Sequence, residues 1–370
     1  MPELADVVKT YKHSYLTKYG DNIPRNHLKA LWQIENCRTS TLGGHLQRCS
    51  ESCGYERHSY NSCQSRSCPK CSGIHTARWV KKKQDALLPV QYFHLVFTLP
   101  AILREIVRSH QKIAYAILMQ SAADAAITLA KDTKYVGGLI GAMAILHTWS
   151  RTLFFHPHVH LLIPGGGIND EGHWVSSHEK YLIPYKPAAT IFRAIFIKRL
   201  QKALPEVSIP DEVWRKEWVV DVRTTAKNPM IAVKYLSTYI NRIAISNRRI
   251  LECKDGTVKI SYKRNKDITW RTMVLKPEEF LRRYLQHVLP KGFIRIRYYG
   301  IFTSANKECF NKVRSDLINT FEKVSTISEP AIIDITNLFQ EIPICPQCLM
   351  GHLIVVEELP KRKLKQYEYA

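Results

Sequence analysis

Phe155-His156-Pro157-His158-Val159-His160-Leu161-Leu162-Ile163 decides how this chain is read. Successive side chains of a β-strand point to opposite faces, so His158 and His160 share a face while Val159 turns toward the core. Two imidazoles side by side form a bidentate metal clamp and leave coordination positions open for a substrate oxygen. About 70 residues further on stands Lys234-Tyr235-Leu236-Ser237-Thr238-Tyr239. On a helix, positions i and i+4 share a face, so Tyr235 and Tyr239 can both present their hydroxyls to that clamp. A metal ion beside two phenols points to phosphodiester cleavage, with the tyrosines as candidate nucleophiles. Alternating histidines alone, or an aromatic stripe alone, would be ordinary core packing. Their pairing carries the reading.

A third metal ligand is expected. His147 is the first choice, because a strand over 141–149 can fold back beside the histidine strand through a turn at 150–152. His94 on an earlier strand and His156, next to Pro157, are the alternatives. Residues 92–98 read as a buried strand ended by Pro100, and 101–131 as a core helix whose Gln120 and Asp124 argue against a membrane span. Pro164-Gly165-Gly166-Gly167 lacks the Lys-Ser or Lys-Thr of a nucleotide loop and reads as a turn near the site. Helices are expected over 185–204 and 277–289, and extended segments over 218–222, 258–262, 268–275 and 293–302. Asn228-Pro229 starts the tyrosine helix with a cap and a proline at its first position. The order is α+β, with a mostly antiparallel central sheet. A chain of 370 residues has room for two or three cores, divided here as 1–90, 91–250 and 251–370.

The first 90 residues hold six of the ten cysteines. Cys49 and Cys53, then Cys68 and Cys71 after 14 intervening residues, read as a tetrahedral thiolate site for zinc. Cys37, His45 and Cys63, with His58 nearby, are candidates for a second ion. Cys345 and Cys348, with His352, supply half or three quarters of a C-terminal site that Cys309 could complete. Close cysteine pairs in a reducing compartment are metal ligands rather than disulfides. A zinc of this kind contributes folding free energy on the order of 10 kcal/mol in small modules.

The balance of 54 Lys and Arg against 32 Asp and Glu gives a formal charge of +22. That favours a polyanion, either nucleic acid or an anionic membrane surface. No apolar run of about 20 residues and no signal peptide is visible, so a cytoplasmic protein without a membrane partner is expected. Arg66, Lys70, Arg78 and Lys81-Lys82-Lys83 lie in or just after the cysteine module, and Lys234 and Arg242 flank the tyrosines. All are candidate phosphate contacts. Trp149, Tyr298 and Tyr299 are candidate stacking platforms for single-stranded bases, although core packing is the commoner role of such rings.

The chain resembles the HUH endonucleases (histidine, bulky apolar residue, histidine). Within them it is most similar to the two-tyrosine rolling-circle transposases typified by bacterial insertion sequence 91. Besides the two motifs above, the resemblance covers Cys63 to Cys71 (CQSRSCPKC), His94 to Pro100 (HLVFTLP), Pro164 to Gly167 (PGGG), Arg242 to Asn247 (RIAISN) and His287 to Gly292 (HVLPKG). It implies an HUH-type central antiparallel sheet flanked by helices, with an N-terminal cysteine-rich zinc module. It implies a DNA transposase that nicks single-stranded DNA at its element's ends, passes through 5′-phosphotyrosine intermediates and transfers the strand. Mg²⁺ or Mn²⁺ is expected at the histidines, with structural Zn²⁺ at the cysteines. The expected partners are single-stranded DNA, DNA hairpins at element ends, and target DNA. A rolling-circle replication initiator or relaxase would share this chemistry. A non-enzymatic zinc protein that binds DNA would use the histidines and tyrosines only as core.

Overall fold

The computed structural model describes residues 1–73, 87–225, 239, 242–263, 267–324 and 343–362. The chain opens with α1 (Leu4–Tyr19) and α2 (Arg25–Glu35), then the strands β1 (Gly44–Cys49), β2 (Glu56–Tyr60) and β3 (Tyr92–Thr98). Next come α3 (Arg104–Ser109), α4 (Gln111–Ala130), β4 (Gly141–Trp149), β5 (Phe155–Pro164), β6 (Gly166–Ile168) and β7 (Trp174–Ser176). They are followed by α5 (Tyr185–Ala203), α6 (Glu212–Arg215), β8 (Val219–Thr224), β9 (Ile250–Lys254), β10 (Thr257–Tyr262) and β11 (Arg271–Leu275). The remaining described elements are α7 (Pro277–Leu285), β12 (Ile296–Gly300), α8 (Lys307–Val324) and β13 (Leu353–Leu359). The fold is α+β, as the order of elements predicts.

Five strands form the central sheet in the order β12-β4-β5-β3-β8, and every neighbouring pair is antiparallel. The register settles which residues share a face. His147 lies opposite His158, and Ile145 opposite His160; Val96 lies opposite His160 on the other side. Period-two alternation therefore puts His147, His158, His160 and His94 on one face with Tyr92, Met143, Ile145 and Leu162. The other face carries Phe93, Leu95, Phe97, Ala142, Ala144, Leu146, Val159, Leu161 and Ile163, all buried in the main core. There α4 and α5 cover the sheet. Alanines 114, 122, 123, 125 and 126 of α4 are fully buried, and small side chains let a helix lie close to its neighbours. Phe192 of α5 meets both Phe97 and Trp218 edge to face, at centroid distances of 5.1 Å each, a favoured aromatic geometry.

Pro157 sits inside the histidine strand without breaking it. The β4–β5 register slips between His147 and Trp149, whose partners are His158 and Phe155. His156 and Pro157 thus face the single residue Thr148, a bulge that spares the ladder the N–H that proline lacks. The helix expected over 101–131 is interrupted at His110 (φ −118°, ψ 42°). That residue turns both its backbone N–H and its Nδ1 to the Ile106 carbonyl, each at 3.1 Å, which ends α3 before α4 begins. Among the described residues α4 alone is long and apolar enough to cross a membrane. It is a buried core helix here.

A second core joins the first two helices to residues 244–288. Leu4, Val7, Val8, Leu31 and Ile34 of α1 and α2 pack with Val258, Ile260, Phe280, Leu281 and Leu285, alongside Cys37, Cys68 and Cys71. The sheet beneath is β11-β10-β9, and a third sheet has the order β13-β1-β2. The segment after residue 250 thus supplies strands to all three of these sheets. Helices α1, α2 and α8 and the strands β1, β2 and β13 are elements that the sequence reading left unassigned.

Candidate nuclease and metal site

The histidine face gathers its side chains tightly. His147, His158 and His160 each bring a ring nitrogen to within 4.8 Å of the others. His147 and His160 are buried, at 2% and 7% exposure. A carbonyl can only accept, so His158 Nδ1 donates to the His156 carbonyl at 2.7 Å and keeps its Nε2 lone pair free. His160 Nδ1 lies 2.8 Å from His94 Nε2. With Nδ1 as donor, His160 likewise presents an Nε2 lone pair, and His94 accepts through Nε2. His94 thus sits behind His160 and is not one of the three clustered histidines. His156 points elsewhere, its Nδ1 accepting from the Arg104 guanidinium at 3.2 Å.

Tyr239 lies against this cluster. Its ring centroid is 4.6 Å from that of His160 and 5.0 Å from that of His94. Its carbonyl accepts from His147 Nε2 at 2.8 Å, which ties the tyrosine backbone to β4. Tyr235 and Lys234 lie outside the described residues, as do Arg78 and Lys81, Lys82 and Lys83. Arg242 is at the site's edge. Its carbonyl accepts from the Arg295 guanidinium at 2.7 Å, and Arg295 Nε donates to Leu146 at 3.0 Å. Burial brings Arg295 down to about 9, still a cation at neutral pH. Arg295 is the feature that the sequence reading missed, since only the burial created by β12 and β4 distinguishes it from any other surface arginine. Trp149 stacks on His147 at 4.6 Å and carries Arg295 over its ring at 5.1 Å. Tyr298 is half-buried on the histidine face, but Tyr299 belongs to the helix-side core and is no stacking platform. Gly166 and Gly167, expected in a turn, instead begin β6, paired with β7.

Burial keeps the cluster neutral. It lowers His158 to about 4, opposed by the bond to the His156 carbonyl and reinforced by nearby cationic groups. His147 and His160 are pushed well below the ordinary range, first by burial and then by neighbouring groups, led by His160 and Arg295 for His147 and by His158 and His94 for His160. His94 falls to about 4, and His287 to about 3, in both cases chiefly through burial. These histidines are neutral when folded but take up protons near pH 6.5 when unfolded. Stability is therefore complete above about pH 6.5 and drains as pH falls toward 4, at up to about 1.4 kcal/mol per pH unit for each group. Thermal melts from pH 7.5 to 4.5 are expected to show Tm falling steeply below 6.5; a flat profile would contradict neutral burial.

The cysteines group differently from the expected pairing. Cys49 and Cys53 do not meet Cys68 and Cys71. One set consists of Cys37, Cys63, Cys68 and Cys71, the other of Cys49, Cys53, Cys345 and Cys348, with the sulfurs of each set within 4.8 Å of one another. The reason is the direction of the β1–β2 hairpin, in which Gly44 pairs with Tyr60 and Arg48 with Glu56. Cys49 and Cys53 lie at its closed end. Chain entering before Gly44 and leaving after Tyr60 meets at the open end, and six residues of strand set the two ends roughly 20 Å apart. There Cys37 Sγ and Cys63 Sγ lie 3.5 and 3.6 Å from Cys71 Sγ. His45, on β1, and His58, stacked on Tyr60, are in neither set. Cys309 packs near Phe302 and Phe310 instead, and His352 is in neither set, its backbone carbonyl accepting from Ser50 N–H. Arg66, beside the first set, is committed to the carbonyls of Phe293 and Pro290, and Lys70 to Glu3.

Residues 141–309 match a family described as "Putative transposase", and residues 7–99 one described as "Transposase zinc-binding domain". The first span holds the three histidines and both tyrosines; the second holds all of Cys37, Cys63, Cys68 and Cys71. "Putative transposase y4qJ" of Sinorhizobium fredii (strain NBRC 101917 / NGR234) is 32% identical over 96% of this chain and 95% of its own length. "Transposase for insertion sequence element IS801" of Pseudomonas savastanoi pv. phaseolicola is 29% identical over 74% of this chain and 69% of its own. No solved structure matches. With likeness to y4qJ over nearly the whole of both chains, and a matched zinc-binding region ahead of a matched transposase region, the chain belongs to the insertion sequence 91 family of transposases.

Proposed function

We propose that this transposase cleaves single-stranded DNA at the ends of its element by attack of Tyr235 or Tyr239 on a phosphodiester, and then rejoins the strand elsewhere. The observation that carries the reading is the convergence of three neutral imidazoles on one sheet face with the Tyr239 ring 4.6 Å from that of His160. The donor set fits a divalent cation, which His147, His158 and His160 would hold. Mn²⁺ suits imidazole ligands, while cellular abundance favours Mg²⁺. When bound, such an ion supplies Lewis-acid polarisation of a phosphoryl oxygen and offsets charge that grows in the transition state.

The chain's own residues account for the rest. A phenol titrates near pH 10, about three units above neutrality, so it must lose its proton as it attacks. The tyrosine oxygen forms a bond to phosphorus while the bond from phosphorus to the 3′ oxygen breaks, and that oxygen leaves as a 3′ hydroxyl once protonated. The 5′-phosphotyrosine stores the energy of the broken ester. A 3′ hydroxyl can later attack the same phosphorus and release the phenol without ATP. Two tyrosines permit two such links in succession, one for the donor strand and one for the target or the second end. Arg242 and Arg295 favour an anionic backbone nearby, and Lys234 and Lys81 to Lys83 are further candidate DNA contacts. Hairpins at the element ends would be gripped by the zinc module. We retain 1–90 as a zinc and DNA-binding module, 91–250 as the nuclease and 251–370 as a C-terminal region only as a proposed division of labour.

The Tyr235→Phe, Tyr239→Phe double variant tests this reading. Cleavage of labelled end oligonucleotides is expected to fall below detection, while their affinity and its steep salt dependence stay within about twofold of the parent protein. Undiminished cleavage would refute the tyrosine mechanism. A parent protein that binds and never cleaves would favour the non-enzymatic zinc reading.

A further inference from the structure

We propose that Cys49, Cys53, Cys345 and Cys348 hold a structural zinc of their own, which clasps the strand β13 to the N-terminal module. The matched zinc-binding region ends at residue 99, so half of this ligand set lies nearly 250 residues beyond it.

The spacing of the sulfurs is that of a metal site. Cys49 Sγ lies 3.6 Å from Cys348 Sγ, and Cys53 Sγ lies 3.6 Å from Cys345 Sγ. A zinc–sulfur bond of about 2.3 Å sets tetrahedral edges of about 3.8 Å, whereas a disulfide requires about 2.05 Å. All four cysteines are free thiols. Four soft sulfur donors and no oxygen or nitrogen select zinc over magnesium or manganese.

The backbone is shaped around those sulfurs. Leu349 N–H donates to the Cys345 carbonyl at 3.0 Å, and Cys345 N–H to the Gly351 carbonyl at 2.7 Å. This turn aims the Gly351 N–H at Cys348 Sγ, 3.3 Å away, where it supports a thiolate. Gly351 is required for space: a Cβ there would stand 2.5 Å from Cys49 Sγ and 2.8 Å from Glu51 Cγ. Register completes the closure, since Cys49 pairs with Leu353 and Ser50 N–H donates to the His352 carbonyl at 2.8 Å.

Among the described residues little else secures this end of the sheet. The buried apolar cluster here consists of Cys49, Cys345 and Leu353, with Cys53, Tyr55 and Cys348 partly buried around it. Ile354, Val355 and Val356 of β13 are exposed. A core so small is the situation in which small domains rely on a metal.

The test is zinc stoichiometry by mass spectrometry on the full-length chain in a His158→Ala background, which removes the histidine cluster as a third site. Two zinc ions per chain are expected. The C49S/C53S pair and the C345S/C348S pair should each lose one, and all four substitutions together should still lose only one. Cobalt taken up in place of that ion should give the charge-transfer absorbance of a tetrathiolate. Gly351→Ala, which leaves every ligand in place, should release one zinc to a chelator at least tenfold faster. One zinc in the parent protein would overturn the proposal. So would retention of two zinc ions by the quadruple variant, or loss of a separate ion by each pair.

Discussion

Replacing His160 by alanine is expected to lower single-strand cleavage about 10³-fold while the protein remains folded and DNA-bound. A metal ion that polarises a phosphoryl oxygen contributes several kcal/mol to the transition state, and each factor of ten in rate is worth about 1.4 kcal/mol. His160 is the strongest point to strike. It is central to the proposed ligand set, buried at 7% exposure, and bonded to His94 behind it. Its removal would leave two imidazoles to hold an ion and would deprive His94 of a partner. The substitution also touches Tyr239, whose ring packs on His160, so cleavage should be measured beside metal affinity and a melting curve. Loss of rate with a Tm lowered by only a few degrees supports the metal role. An unchanged rate at saturating Mn²⁺ would remove His160 from it. His94→Ala should act more mildly, weakening metal affinity by roughly 10–100-fold, the usual effect of losing a residue that orients a ligand.

Serine at both Cys68 and Cys71 is expected to unfold the N-terminal region. Structural zinc in small modules contributes about 10–16 kcal/mol of apparent binding free energy, against a typical net domain stability of 5–15 kcal/mol. Here the cost would spread beyond the module. Cys37, Cys68 and Cys71 share a core with α1, α2 and Phe280, Leu281 and Tyr284 of α7, and the Tyr284 hydroxyl donates to the Ser67 carbonyl within the same knuckle. Circular dichroism and limited proteolysis should show lost helix and early cleavage throughout 1–73, and a melting transition that is broadened or shifted down by more than about 10 °C. A cooperative transition at the parent Tm would show that the apolar core alone holds this region.

Local geometry was readable from the sequence where it depended on one strand or one hairpin. The alternation in Phe155–Pro164 told which histidines share a face, and the short link from Trp149 back to Phe155 made His147 the natural third partner. The helix-covered antiparallel sheet followed from the order of elements together with the family likeness. What escaped was set by long-range direction. Correct grouping of the cysteines requires knowing that β1 and β2 form a hairpin, and that β13, about 300 residues later, adds to its edge. Nothing within residues 37–71 says that Cys49 and Cys53 face away from Cys68 and Cys71. Arg295 was invisible for a related reason, since its burial exists only once β12 pairs with β4. His94 and His156, both open alternatives for the metal, were separated by geometry that alternation alone does not provide: one lies behind His160, and the other is turned to Arg104 by the bulge at Pro157.

Covalent capture addresses the central claim most directly. Purified protein would be incubated with labelled single-stranded oligonucleotides spanning both ends of its element, with Mg²⁺ or Mn²⁺, then denatured, resolved and peptide-mapped. The predicted result is a metal-dependent protein–DNA adduct through a 5′ phosphate on Tyr235 or Tyr239, absent from His158→Ala. Cleavage with no adduct, or an adduct on any other residue, would contradict it.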